Sequence, residues 1–378
     1  MSGTFSLRRC WAVLIKEFVQ MRRDRLTFAM MIGIPILQLV LFGYAINADP
    51  KNLPTAVLAA DASPYGRAVI AGLQNSGYFR MVREARSEAE VDQLLARGDV
   101  QFAVTIPAGF SRDIQRGKHP VLLVEADATD PAATSNAVAA LNEIARTALA
   151  RDLGGALARL QPGPAPFELR LQRRYNPEGL TQYNVVPGLI GTILTMTMVI
   201  MTSLAMTRER ERGTMENLLA MPVKPVEVML GKIVPYIVVG YVQVAVIMLA
   251  ARFLFDVPMI GSLLTLSVAL VIFIAANLSV GFSFSTIATN QLQAMQMAFF
   301  FFLPSILLSG FMFPYRGMPV WAQSLGEILP LTHFLRIVRG ILLKGNGWLE
   351  IWPELSLLLA FMGAAMTLAM LRYRQTLD

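Results

Sequence analysis

The side chains best placed to do chemistry form one run, Arg208-Glu209-Arg210-Glu211-Arg212-Gly213-Thr214-Met215-Glu216-Asn217-Leu218-Leu219-Ala220-Met221-Pro222. Alternating charge supplies i,i+3 pairs such as Glu209–Arg212, which carry a helix beyond the apolar stretch that precedes it. Gly213 breaks that helix, and Thr214 can cap a second, short one that Pro222 ends. Acids together with Leu218 and Leu219 on a short helix suit docking to a partner protein; a solvated connecting loop fits the residues equally well. Other candidates are weaker. Glu125, Asp127 and Asp130 could suggest a cation but lack the glycine-rich loop that shapes a calcium site. His119 sits in a turn-like Gly117-Lys118-His119-Pro120. No catalytic or metal-ligating set is read from the sequence. The phosphate-cradling pattern G-x-x-x-x-G-K-[ST] is missing, since Gly231-Lys232 continues with Ile233 and lacks the upstream glycine. The single cysteine, Cys10, excludes a disulfide framework.

The elements that must carry these residues are unusually apolar. Of 378 residues, 54% are hydrophobic and 16% charged, and the mean hydropathy is +0.51. A soluble domain has about 25% charged residues. Runs long enough to cross a bilayer as helices fall at 26–46, 182–206, 232–253, 262–287, 294–313 and 352–372. The first is read as an uncleaved anchor, since its apolar core is longer than a signal peptide's. Before it, residues 1–25 place Trp11, Leu14, Ile15 and Phe18 on one helical face, as in an interfacial helix. Cations gather in residues 1–25, in the segment 207–231 with Lys232 beside it, and in the tail 373–378 with Arg372 beside it, which together hold +6 of the +7 net charge. Both termini are therefore expected on the cytoplasmic side. The surplus charge marks topology, so nucleic acid is not an expected partner; the lipid bilayer is. Within the spans, Gln38, Asn277, Ser283, Gln293 and Gln296 could line a path, although such groups more often bond helix to helix. Asp, Glu, Lys and Arg occur in the spans only at their ends, as with Arg252 and Glu354, which argues against an ion-coupled carrier.

Residues 47–181 are long enough to fold as a domain outside the membrane. Strands are expected at 56–60, 78–82, 101–106, 121–125 and 167–174, and helices at 64–75, 87–97, 107–116 and 131–160. Ser63 with Pro64, and Ser87 with Glu90, read as helix starts. The expected fold is an α-helical membrane protein of six spans with an inserted extracytoplasmic α/β domain.

The 208–222 run resembles the E-R-E-x-G-T-x-E-x-L-x-x-x-P signature of ABC-2 type permeases, the membrane subunits of bacterial ABC exporters. Ser309-Gly310-Phe311-Met312-Phe313-Pro314, Met318-Pro319 with Trp321, and Leu329-Pro330-Leu331-Thr332-His333-Phe334 are similar to the family too. The resemblance covers nearly the whole chain and is closest to multidrug-export permeases with a large external domain. It implies that Glu209, Arg210, Glu211, Gly213, Thr214, Glu216, Leu218 and Pro222 form a coupling helix on a separate cytoplasmic ABC ATPase. That subunit would hold ATP and magnesium, leaving this chain without a cofactor. It also implies that 314–351 is an external re-entrant region. A second copy or a paralogue is expected as partner, and an extracytoplasmic adaptor is a further candidate. Efflux of small amphipathic compounds is the function implied. Export of lipid or glycolipid, or a membrane-anchored binding scaffold, are the alternatives.

Overall fold

The computed structural model describes residues 50–149, 165–211 and 225–372. The first apolar run and Gln38 lie outside these residues, as do the end of the helix expected at 131–160 and the segment 212–224.

Five strands form one sheet, Leu53–Ala59 (β1), Phe79–Glu84 (β2), Phe102–Ile106 (β3), Val121–Asp127 (β4) and Glu168–Arg174 (β5). The order is β2-β1-β3-β4-β5, parallel except between β3 and β4. Its helices are Pro64–Asn75 (α1), Glu88–Arg97 (α2), Phe110–Gln115 (α3) and Pro131–Thr147 (α4). Ser63 caps α1 by accepting from Gly66 N at 3.2 Å, and Ser87 caps α2 by accepting from Glu90 N at 3.2 Å. Glu90 reaches back to the amide of Arg86, one residue earlier than a closed capping box would have it. One face of the sheet buries Phe79, Phe102, Phe110 and Phe167. Phe79 meets Phe102 edge-to-face at 5.1 Å. The other face packs Ala56 and Ala103 on Val91 and Leu95 of α2.

Among the described residues, five helices are long and apolar enough to cross a membrane. They lie in Thr181–Glu211 (α5), Pro225–Leu254 (α6), Leu263–Ile287 (α7), Gln291–Leu308 (α8) and Trp348–Arg372 (α11). Between α8 and α11 come a 3-10 turn, Tyr315–Gly317, two short helices, Val320–Gly326 (α9) and Pro330–Arg339 (α10), and a π-turn, Gly340–Lys344. α8 differs from its expected bounds for local reasons. Asn290 caps it by accepting from Gln293 N at 2.8 Å, and the chain turns away just after it, at Gly310, whose φ is +82°.

The bundle core joins α5, α7, α10 and α11. Phe334 of α10 stacks on Phe273 of α7 with centroids 4.0 Å apart. α6 stands at the edge, with Val238, Val242, Val246, Leu249 and Phe253 exposed. α5 and α7 approach closely at Gly281, where an added Cβ would lie 2.6 Å from Val199 O. Since that neighbour is backbone, Gly281→Ala must spread the two helices. It is expected to cost about 1–2 kcal/mol by overpacking, read as a lower thermal midpoint of the purified chain.

Candidate functional site

The residues that the resemblance assigns to coupling are reached only in part. α5 continues through Arg208 to Glu211, as the charge alternation requires, but Gly213, Thr214, Glu216, Leu218 and Pro222 lie outside the described residues. Glu209 and Arg210 are helical in backbone. Glu211 accepts from the amide of Gln291 at 2.7 Å and from its side-chain amide. These two bonds hold its carboxyl below the usual carboxylate range. The end of α5 is thereby tied to the start of α8, a contact across 80 positions that spacing does not reveal.

The polar span residues do different jobs. Gln293 accepts from both the amide and the hydroxyl of Thr289, at 3.0 and 2.7 Å, and so fastens the turn into α8. Ser283 reaches Ala365 O of α11 at 3.4 Å as well as Ser279 O at 2.9 Å. Asn277 is buried and donates to Phe273 O at 2.9 Å, while its Oδ1 and the Oε1 of Gln296 are sealed without partners. None of these four lines the large cavity described next.

The densest constellation is one that motif reading misses. It lies where the loops after α8 and α10 meet the sheet domain. α10 starts with Pro330 at its first turn and buries Leu331, Phe334, Leu335 and Val338, which leaves Arg336 and Arg339 on the other side. His333 is buried, yet both ring nitrogens face acceptors. Nδ1 is 2.5 Å from Glu354 Oε2, and Nε2 is 2.8 Å from Glu327 O. Only the doubly protonated ring can donate to both. Burial pulls the His333 pKa down, but the bonds to Glu354 and Glu327 outweigh it and the net shift is upward. Arg336 bonds Glu327 at 2.6 Å and Glu354 at 3.0 Å, and it lies 4.7 Å over the Tyr315 ring. Burial pushes the Glu327 carboxyl up, and its bonds from Arg336 and Tyr315 hold it below the ordinary range. The Tyr315 hydroxyl donates to Glu327 at 2.6 Å.

A second set of donors grips the sheet domain. Lys344, placed by the π-turn, bonds Asp127 of β4 at 2.6 Å and Leu95 O at 2.9 Å. Asn346 donates to Ala96 O at 3.0 Å, and Arg316 reaches Gly98 O at 3.5 Å. The last carbonyls of α2, which a helix leaves without internal partners, are thus taken up by bundle side chains. Lys344 and Asp127 are 8% and 9% exposed, a buried ion pair. Burial also pushes the Tyr175 hydroxyl, beneath Lys344, up to about 12. The acids singled out in the sequence are therefore separated in their work: Glu125 pairs with Arg174, Asp127 with Lys344, and Asp130 caps α4. His119 bonds Ala165 O.

A sheet domain bolted by charged side chains to a bundle of membrane-length helices defines a membrane protein with an ordered domain at one end. Residues 25–371 match the family model described as ABC-2 family transporter protein, and the chain belongs to that family. It is similar to two Escherichia coli (strain K12) proteins described as probable multidrug ABC transporter permeases. YbhR is 30% identical over 92% of this chain and 94% of its own length. YbhS is 31% identical over 90% of each. The inner membrane transport permease YhhJ of the same organism is 30% identical over 98% of each chain.

Proposed function

We propose that this chain is the transmembrane permease subunit of an ATP-binding-cassette exporter, located in a bacterial inner membrane. The observation that carries it is the match over nearly the full length of both chains to relatives named as permeases of this class. The membrane-length helices are consistent with it. In this reading the run at 26–46 is a sixth span and the sheet domain faces outward. The 314–351 region closes the pathway on that side, and a cytoplasmic ATPase docks on 207–231. Two permease copies, identical or paralogous, enclose the path, since six spans alone are few for a conduit. Small amphipathic compounds are the cargo proposed, with Asn277, Ser283, Gln293, Gln296 and Gln38 as candidate path residues.

The test uses the permease purified with its partner ATPase. Gly213→Pro and Glu216→Ala are expected to lower ATP-driven export from vesicles by roughly tenfold or more, a typical coupling free energy. Unchanged export and complex formation in both variants would sink the coupling assignment.

A further inference from the structure

A cavity of about 440 Å³ lies at the junction, between the end of α2, the start of α4, the 3-10 turn and α10. Of the five cations on its wall, Arg97 is exposed to solvent and two others are matched by acids. Arg336 is answered by Glu327 and Glu354, and Lys344 by Asp127. Arg316 and Arg339 are not. Both terminal nitrogens of Arg339 donate to one neutral oxygen, Gly310 O, at 3.2 Å, and its Nε is sealed from solvent with no partner. Arg316 has only the long bond to Gly98 O. Among the described residues, neither has a carboxylate at ion-pair distance. The cost shows in both guanidinium groups. Burial, then Arg336, with Arg80 adding to it, pulls Arg316 below its ordinary pKa; burial does the same to Arg339 despite Asp130 and Asp127 nearby. The wall also carries an orphaned acceptor, the buried Oε1 of Gln101.

We propose that this cavity binds a phosphate ester, its phosphate held between Arg316 and Arg339 and a neighbouring hydroxyl donating to Gln101. The two guanidinium groups come from different elements, so a tetrahedral phosphate, with oxygens in several directions, can accept from both where a planar carboxylate fits one fork. Of the acids on the same wall outside those pairs, Asp99 is exposed to solvent, Glu350 accepts from Gly347 N at 2.9 Å, and Asp130 does not oppose this strongly. Burial already favours its protonated form, and an anion beside it favours that form further. A cavity of this size suits a headgroup-sized molecule. The same chemistry comes from two sources, a soluble glycerol phosphate or the headgroup of an anionic phospholipid at the membrane surface. The inference stands on the junction's geometry and holds whether or not the chain exports drugs.

The test is the thermal midpoint of the purified full-length chain, because a ligand that binds the folded state raises it. One arm titrates glycerol phosphate into protein in neutral detergent, against potassium chloride at equal ionic strength. The other compares vesicles of phosphatidylcholine with vesicles containing phosphatidylglycerol. A rise in either arm that Arg316→Gln removes is the expected result. A response to glycerol phosphate assigns a soluble ligand, and a response to phosphatidylglycerol alone assigns a headgroup. Arg339→Gln is expected to weaken the response too; if that variant does not fold, Arg316→Gln decides. No rise in either arm, a rise matched by chloride, or one that Arg316→Gln retains in full would overturn the proposal.

Discussion

Lys344→Met is expected to destabilise the chain by about 3 kcal/mol, the largest loss from any single side chain at the junction. Methionine keeps the bulk of the stem but leaves the Asp127 carboxylate buried without its cation. Asp127 would retain the bonds from Thr129 N and Oγ1, at 3.1 and 2.8 Å, which neutralise no charge. Leu95 O would lose one of its two donors and keep the amide of Gly98 at 3.2 Å. The pair is a weak source of net stability when intact, because two desolvated charges offset much of their attraction, and a large liability when broken. That asymmetry gives the check. In the double variant Lys344→Met/Asp127→Asn no charge is stranded, and more than half of the loss in thermal midpoint should return. Losses that simply add would mean that the two side chains do not form the pair described.

Much of the fold was readable because its signals are local. The apolar run expected at 262–287 stops at the polar Thr289-Asn290-Gln291, and helix α7, Leu263–Ile287, follows those bounds. Ser63 and Ser87 announced their helices in the same way. The end of α8 was placed too late. The residues after Leu308 are as apolar as those before, and only the backbone at Gly310 shows that the helix has stopped. The junction was hidden for a different reason. Lys344 and Asp127 are 217 positions apart and Arg316 and Gly98 are 218 apart, so nothing in either neighbourhood names the other. Asp127 in fact drew notice as a possible cation ligand, because a sequence shows acids side by side but not which cation the fold brings to each.

What the sequence did hint at was the uneven charge of 314–351. Arg316, Arg336, Arg339 and Lys344 fall within a stretch that is otherwise largely apolar. Charges on such a surface must find partners or water. Here Arg336 and Lys344 find acids, while Arg316 and Arg339 turn to backbone oxygens beside a cavity. The 314–351 segment is thus joined to the sheet domain by its own side chains, and a tilt of that domain would be transmitted to α10 through them.

The second large effect is expected at Arg336, whose replacement by methionine should cost about 2 kcal/mol, less than at Lys344 because solvent partly screens the site. The more telling change is in pH dependence. The pKa of Glu327 is depressed in the folded chain, so its contribution is present above the ordinary glutamate pKa and is lost as pH falls through the folded value. The pKa of His333 is raised, so its contribution is complete below the unfolded value and is lost as pH rises through the folded one. These two groups should make the native chain most stable roughly between pH 4.5 and 6.5. Arg336 acts on both in one direction, lowering Glu327 by its hydrogen bond and charge and lowering His333 by repulsion. Without it both folded values rise. The fall on the acid side then still begins near the unfolded glutamate value but becomes smaller and ends at a higher pH, while the fall on the alkaline side begins where it did, becomes larger and extends to a higher pH. Thermal midpoints of native and Arg336→Met protein across this range test the idea. A profile that drops in height with both falls unchanged in size would show that Arg336 acts by packing alone, through its stem and its contact with Tyr315.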